Sequence, residues 1–544
     1  MKKAGRIYIN QWHSFKSPDA HSSTDTYYLN LCNEIKQGIY RTEAWETLEE
    51  ILDKEGVDQL CVYLAAYLED LVSETNIWNS FVRVHQRLYD TPLPYYEIKE
   101  YYAGEVNYED ICFLIWYFLN CLQEHEFVSH LNVFILQLGE AITDMLIPAW
   151  EEAPENQRLK ASYELSECET DYYVARSYME HVFFDSYLFY PDTGIRLKET
   201  LEAIAEEHAE DDNLSGFLDD SRDHLLYNTR TQLLALKSHE WVAEILGDTH
   251  PLHEAFQSLT PKINSVFLYK GERGTHFSIE HIASGRAFDV RLEDFISVDE
   301  FEVDRTMMML GIVNWREEWW FSGVCSPAPY DEKIVEEQRG SLSNKQQVHF
   351  LQDPQKTGEV LSFQRKCFLE FNEGQPIAFM WLKDVEVFIN DFWEHYEKHL
   401  PADLRAVSNV SKEKSIGEQM IRQLFEDNRG LEASKEVVNA LVFFNPIAGL
   451  EIVPGFNDFF PFDHNQFYNA EDANDYVDRI FFAENVSKEL AEFFVEHAGD
   501  KLDFFKEDMG VSYLHHLDFL LRFWKMDDYQ TSPSFSLVCD PANQ

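Results

Sequence analysis

Two histidines near residue 400 have the spacing of metal ligands. His395 and His399 lie four residues apart on a predicted helix, so both imidazoles face the same side. Two imidazole nitrogens in this arrangement can bind one zinc ion. The segment lacks a glutamate directly after its first histidine, and the sequence offers no identifiable third ligand. We therefore favour a solvent-exposed helix end before Pro401, and we predict no cofactor.

A second pair of residues could act on a phosphodiester. Arg176 and His181 have the Arg-x4-His spacing that resembles the helical ribonucleases of the HEPN type. The resemblance implies that Arg176 would hold a phosphate and that His181 would serve as general acid or base. The neighbouring acids Glu180 and Asp185 disfavour this role, because carboxylates repel an RNA backbone. Cleavage of RNA is therefore an alternative to a non-enzymatic function.

Four aromatic residues form the predicted binding site: Trp315, Trp319, Trp320 and Phe321. They fall in a segment with the pattern of short strands. Because side chains alternate along a strand, Trp319 and Trp320 must point to opposite faces. One of them can pack against other elements while the other contacts a ligand. Small barrels bind peptides or single-stranded nucleic acid, and residues 261–328 contain more acids than bases, so we prefer a protein or peptide partner.

The charge of the chain limits its partners. Its 544 residues include 45 lysines and arginines against 97 aspartates and glutamates, which gives a net charge of −52. Such a chain repels nucleic acids and anionic membrane surfaces. The charge favours solubility, and it leaves open an acidic mimic of nucleic acid that occupies a basic partner.

Cysteine usage and hydropathy indicate a cytoplasmic location. The eight cysteines form no Cys-x-x-Cys pair, which is typical of reduced thiols in a cytoplasm. No signal peptide is recognisable after Met1. The uncharged segment from Ile111 to Gln123 is shorter than the roughly 20 residues that cross a bilayer, so it is predicted to be a core helix.

The elements that must position these residues follow from hydrophobic periodicity. From about residue 24 to 256, apolar residues recur with the period of a helix. Near Pro261 the period changes to two, and five or so short strands with tight turns follow up to residue 323. These strands predict a small antiparallel β meander that curls into a barrel. Farther on, strand-like and helical segments alternate.

We therefore predict an α+β protein with four segments. A large helical N-terminal half and a small antiparallel β module in the middle precede an α+β C-terminal region. The predicted boundaries are 1–258 for the helical domain, 259–328 for the β module, 329–365 for a charged helix or linker, and 366–544 for the C-terminal domain. In the last of these, Phe368–Phe371 and Ile377–Trp381 are predicted to form a hairpin across a turn.

Three stretches of sequence resemble an uncharacterised family of proteins from Bacteroidetes-type gut bacteria, known only as a domain of unknown function. The stretches are Ile7–Trp12 with Thr24–Leu29 after it, Glu318–Gly323, and Val453–Phe456. The resemblance implies a bacterial cytoplasmic protein and transfers no catalytic residue. Our leading hypothesis is consequently a non-enzymatic interaction or scaffold protein whose β module binds a partner.

Overall fold

The computed structural model describes residues 5–123, 128–209, 211, 213–292, 300–341, 354–401, 438–483 and 485–529. The chain divides into two compact units, Met1–Arg339 and Gly340–Gln544. The first unit contains the helices of the N-terminal half together with the β module. The second unit combines helices with a three-stranded sheet. The predicted α+β class, with a helical N-terminal half and a central sheet, is confirmed.

Helices build the first part of the first unit. Their bounds are α1 Ile9–His13, α2 Asp25–Ile39, α3 Trp45–Ile51, α4 Lys54–Ser73, α5 Ile77–Tyr89, α6 Tyr108–Leu122, α7 Val133–Glu152, α8 Gln157–Ser162, α9 Tyr172–Phe184, α10 Ile195–Glu207, α11 Leu214–Asn228, α12 Ser238–Leu246 and α13 His253–Gln257. Short 3₁₀ turns at Pro18–Ala20 and Tyr187–Phe189 and a π turn at Tyr190–Gly194 connect some of them.

Helix α6 lies in the core of this unit. Its residues are buried continuously from Asp110 to Asn120. Apolar side chains occupy every side of the helix, and such a helix is stable only when other elements surround it. The predicted core helix at this position is confirmed.

Helix α7 is the one helix of the described ranges that is long and apolar enough to cross a bilayer. The helix has a mean hydropathy of 1.3, and 39% of its apolar stretch is buried. It packs against α2 and α6. Core helices of soluble proteins pass the same test of length and composition, so this feature alone does not indicate a membrane span.

Five strands form the β module. They are β1 Ile263–Arg273, β2 His276–His281, β3 Ala287–Arg291, β4 Thr306–Trp315 and β5 Glu318–Pro329. Antiparallel ladders join them in the order β3-β2-β1-β4-β5, so β4 pairs with β1 and not with β3 as in a simple meander. The sheet curls until β3 meets β5, where one parallel pair, Val290 with Trp319, joins the two strands. We call this contact the seam.

The turn between β4 and β5 has an unusual backbone. Trp315 pairs with Glu318, which leaves Arg316 and Glu317 as a two-residue turn. Both turn residues have positive φ, 51° and 68°. This is the arrangement of a type I′ turn, which favours Asn-Gly because residues with a larger side chain are strained there.

The far end of β5 leads out of the module. The strand closes with two prolines in alternate positions, Pro327 and Pro329, paired with Met308 and Thr306 of β4. Helix α14 follows at Glu332–Gly340. This helix lies within the predicted charged segment 329–365, of which residues 342–353 lie outside the described ranges.

The second unit contains α15 to α21 and three strands. Their bounds are α15 Pro354–Phe371, β6 Ile377–Trp381, α16 Val385–His399, β7 Asn439–Asn445, β8 Gly449–Pro454, α17 Ala470–Tyr476, α18 Arg479–Phe482, α19 Lys488–Ala498, α20 Asp508–His515 and α21 Leu517–Trp524. The sheet has the antiparallel order β6-β7-β8.

The predicted hairpin of Phe368–Phe371 with Ile377–Trp381 is wrong. Phe368 and Phe371 lie in the last turn of α15, and both rings contact Phe392 of α16, at 5.3 and 5.9 Å between centroids. Residues three apart share one face of a helix but face opposite sides of a strand. The real partner of β6 is β7.

Candidate functional site

Arg176 and His181 lie on the same helix, α9, but contact different partners. Arg176 Nε donates to the carboxylate of Asp223 at 3.0 Å, and its Nη2 lies 2.9 Å from Glu180. The ring of His181 instead lies 3.2 Å from the hydroxyl of Ser162. Five residues along a helix rotate the side chain by roughly 140°, so the two groups diverge. The arrangement expected for RNA cleavage is not formed.

Arg176 is held by a buried polar network between helices and strands. Asp223 of α11 is fully buried and pairs with both Arg176 and Lys262. The hydroxyl of Ser322, on β5, also donates to Asp223 at 2.8 Å, and it accepts a hydrogen bond from Tyr172 at 2.8 Å. Each charge has an opposite partner, as burial requires. This network fastens the β module to α9 and α11.

The two histidines of α16 have no third metal ligand beside them within the described residues. Their ring centroids are 4.3 Å apart, but Nδ1 of His399 is hydrogen-bonded to the carbonyl of His395 at 2.8 Å. Burial and the neighbouring His399 lower the pKa of His395. Over the described residues, no group of three or more His, Cys, Asp or Glu side chains is placed to hold a metal ion. The pair alone does not support a zinc site.

Two members of the predicted aromatic site belong to the core. Trp315 is 1% exposed and packs against Phe256 of α13, with 4.8 Å between ring centroids. Trp320 is 2% exposed and contacts Tyr172 and Tyr173 of α9, each at 5.9 Å. Neither indole can reach a partner, because helices cover this face of the module. Of the four predicted binding residues, Trp315 and Trp320 are thus buried in the structure.

Trp319 is half-buried and lines an open cleft. Its ring stands nearly perpendicular to Phe288 of β3, with 4.8 Å between centroids and 77° between planes. The cleft has a volume of about 440 Å³. Besides the two rings, it is lined by the polar residues Arg273, His276, Asp289, Glu317 and Glu318. We call it the Trp319 cleft.

The cleft lies at the seam of the sheet. Trp319 is the residue that pairs with Val290 across the seam, and its neighbours on the cleft wall, Phe288 and Asp289, precede Val290 on β3. The strained turn supplies Glu317 on the opposite wall. The cleft therefore occupies the place where the ladder between β3 and β5 has a single pair.

Most charges around the cleft are already paired. Glu318 lies 2.9 Å from Nε2 of His276 and 3.2 Å from Nη1 of Arg291. Asp289 lies 3.7 Å from Arg273, in an exposed pair. Glu317, by contrast, has no ion-pair partner within the described part of the chain.

Phe321 is half-buried two residues beyond Trp319 and does not line the cleft. Its backbone carbonyl accepts a hydrogen bond from the hydroxyl of Tyr173 at 3.0 Å. The site predicted from the sequence includes Trp319, which lines the cleft, but it omits Phe288 and the charged turn. The sequence does indicate this turn, because the charged residues Arg316 and Glu317 lie between two segments with the pattern of strands.

A second cluster of charged residues lies deep in the helical part. Trp12 Nε1 donates to Asp25 at 2.8 Å, and Lys16 lies 3.2 Å from Asp25 and 2.6 Å from Glu69. Burial raises the pKa of Glu69, and the charge of Lys16 opposes that rise. The three charged groups are buried and paired with one another. We interpret the cluster as a set of structural contacts that stabilises the packing of α1, α2 and α4.

The fold is that of an α+β protein whose small β module carries an open cleft lined by Trp319 and Phe288. Residues 6–268 match the family described as protein of unknown function, DUF3843. The resemblance to an uncharacterised family is thereby confirmed, while a Bacteroidetes origin stays a prediction. No curated protein matches the chain. No solved structure matches it.

The match to the family has a limited extent. It includes Trp12 and Asp25, whose hydrogen bond joins the first two stretches that carry the resemblance. It ends inside β1, so the cleft residues from Arg273 to Trp319 lie outside it. The site therefore has to be judged from its own geometry.

Proposed function

We propose that this protein is a non-enzymatic interaction protein that binds an extended peptide segment of a partner protein in the Trp319 cleft. The observation that carries the proposal is the half-buried indole of Trp319, set against Phe288 in an open cleft of about 440 Å³. Aromatic anchors in pockets of a few hundred Å³ contribute much of the binding energy in protein interfaces. A cleft of this size accommodates one or two side chains of a peptide.

The turn beside the cleft supports the same proposal. Arg316 and Glu317 keep a conformation that disfavours their residue types. Strained backbone is concentrated at ligand sites, where the surrounding structure holds it in place. Here the strained turn brings Glu317 into the lining of the cleft that also contains Trp319.

Selection of peptides tests the proposal without a known partner. A random peptide library is selected on the full chain, and the affinities of the selected peptides are measured for the wild type, Trp319→Ala and Tyr102→Ala. Tyr102 is 54% exposed on a loop of the helical part and is the matched control. We expect Trp319→Ala to weaken binding about tenfold or more, and Tyr102→Ala to bind like the wild type.

Two results would contradict the proposal. The first is a selection that yields no binding peptide. The second is a set of peptides that bind Trp319→Ala as tightly as the wild type. An acidic mimic of nucleic acid, the remaining alternative, would bind basic proteins through its net charge of −52 regardless of Trp319.

A further inference from the structure

We infer that the Trp319 cleft recognises a cationic side chain, the lysine or arginine of a basic peptide. The inference rests on the proposed function and names the chemistry of the occupant. Two aromatic rings and three carboxylates, those of Asp289, Glu317 and Glu318, line the cleft against one arginine and one histidine. Aromatic faces combined with carboxylates bind ammonium and guanidinium groups.

The rings around the seam already bind cations of the protein itself. The guanidinium of Arg291 lies over the ring of Trp320 at 4.5 Å, and that of Arg286 lies over Phe288 at 5.2 Å. Both contacts have the geometry of a cation–π interaction. Trp319, in the same part of the module, has no lysine or arginine over its ring among the described residues. Its exposed portion is therefore free to stack with an incoming cation.

The carboxylates provide the counter-charge. Glu317 has no ion-pair partner in the described ranges, and as the second residue of the strained turn it lines the cleft. Asp289 accepts a hydrogen bond from the hydroxyl of Ser278 and lies 3.7 Å from Arg273, and the side chains of this ion pair are 54% and 72% exposed. Such exposed ion pairs contribute little, so the second oxygen of Asp289 can exchange Arg273 for a cationic ligand. The arrangement is complementary to a positive charge.

The net negative charge of the whole chain also favours a basic ligand. With 97 acidic against 45 basic residues, the chain attracts basic segments over a distance. Diffuse attraction alone would not depend on one indole, whereas recognition in the cleft would. The two sources of affinity can therefore be separated by a substitution that keeps the charge.

The test uses two labelled peptides of glycine and serine. One carries a central Arg-Lys-Arg, and the other carries citrulline and norleucine at those positions. Their affinities for the full chain are measured by fluorescence anisotropy at physiological salt, for the wild type, Trp319→Leu, Glu317→Gln and Glu50→Gln. Glu50 lies exposed on α3 and gives the same change of charge as Glu317.

We expect the basic peptide to bind the wild type about tenfold more tightly than its neutral counterpart. Trp319→Leu and Glu317→Gln should each weaken the basic peptide about fivefold or more, and Glu50→Gln should leave its affinity unchanged.

Three other outcomes would overturn the inference, and each has a different consequence for the proposed function. Equal affinity of the two peptides would reject cation recognition and leave the peptide site standing. Undiminished binding of the basic peptide to Trp319→Leu would assign its affinity to diffuse charge and would also count against the site. Absence of any binding by the basic peptide would reject cation recognition, while the library selection would still decide the proposed function.

Discussion

Adjacent tryptophans on β5 have different environments because a strand presents successive side chains to opposite faces. Trp320 lies under α9, between Tyr172 and Tyr173. Trp319 lies on the other face, where its indole packs against Phe288 and stays partly exposed. Trp320 therefore belongs to the core, and Trp319 lines the cleft.

A stability comparison of the two tryptophans follows from their burial. Trp320→Ala should lower the free energy of unfolding by about 3–5 kcal/mol, because it leaves a large cavity below α9. Trp319→Ala should cost clearly less, since part of its ring already faces water. Urea unfolding of the full chain, followed by circular dichroism, measures both. Equal losses for the two variants would contradict the assignment of Trp319 to the surface.

The sequence predicts that successive side chains of β5 point to opposite faces, but it does not predict which face other elements cover. The strand pattern requires Trp319 and Trp320 to face opposite ways, and it contains nothing that says which face α9 will cover. Arg176 illustrates the same difficulty. Its partner Asp223 lies 47 positions away, so a local spacing motif could not reveal that the guanidinium is already engaged.

The turn between β4 and β5 is expected to affect both the stability of the β module and the proposed binding of a peptide. Glu317 has a φ of 68°, which favours glycine over any residue with a Cβ atom. Glu317→Gly should therefore stabilise the chain by up to about 1 kcal/mol. The same change removes the unpaired carboxylate from the cleft and should weaken binding of the Arg-Lys-Arg peptide.

Thermal unfolding and anisotropy together check this prediction. Glu317→Gln is the control, because it removes the charge and keeps the strained backbone. We expect the glycine variant to be more stable than the glutamine variant while the two bind the peptide equally poorly. A glycine variant that is less stable than the wild type would show that the turn is not strained.

In the second unit, a buried carboxylate connects β8 to α19. Glu451 accepts hydrogen bonds from the backbone N–H of Ser487 at 2.8 Å and from its hydroxyl at 2.5 Å. Ser487 in turn caps α19, which begins at Lys488. Burial raises the pKa of Glu451 to about 7, although the hydrogen bonds of Ser487 and the charge of Lys525 act in the opposite direction.

This raised pKa predicts a pH dependence of stability. Between its unfolded pKa of 4.5 and its folded value of about 7, Glu451 holds a proton in the folded chain that the unfolded chain has released. Its contribution is therefore complete below pH 4.5 and is lost as pH rises through about 7. Glu451→Gln, which mimics the protonated form, should abolish this part of the slope.

The measurement compares unfolding of the full-length wild type and Glu451→Gln across this pH range. Other buried acids, such as Asp110 with a pKa raised to about 7, contribute equally to both proteins and cancel in the difference. The variant should gain stability relative to the wild type as pH rises, on the order of 1–3 kcal/mol in total. Parallel pH profiles would contradict the raised pKa.

Helices and strands can be predicted from the sequence where the apolar residues follow a single period, either that of a helix or that of a strand. The change of period near Pro261 corresponds to the start of β1 at Ile263, and the polar turn after Trp315 corresponds to the β4–β5 hairpin. The pairing of β4 with β1 was not predictable, because it brings together strands that are separated by two others. The segment ending at Phe371 was misassigned, because its short apolar run fits either period.

For the whole molecule, the large negative charge predicts a salt-dependent association rate. The charge of −52 attracts a basic peptide before it reaches the cleft. Raising NaCl from about 0.05 to about 0.5 M should slow association of the Arg-Lys-Arg peptide about tenfold or more, because the Debye length shrinks severalfold.

Stopped-flow measurements separate the two rates. Trp319→Leu should raise the dissociation rate and keep the salt dependence of association, since the net charge is unchanged. If salt instead acted on dissociation alone, long-range attraction would not be part of the mechanism.

The two prolines that close β5 also affect how copies of this chain behave at high concentration. An edge strand with free N–H donors is a template on which a second copy can extend the sheet, and repeated addition leads to fibrils. Pro327 and Pro329 offer no such donors, and they are paired with β4 on their other side. The prolines therefore disfavour the addition of a further strand at this end of β5.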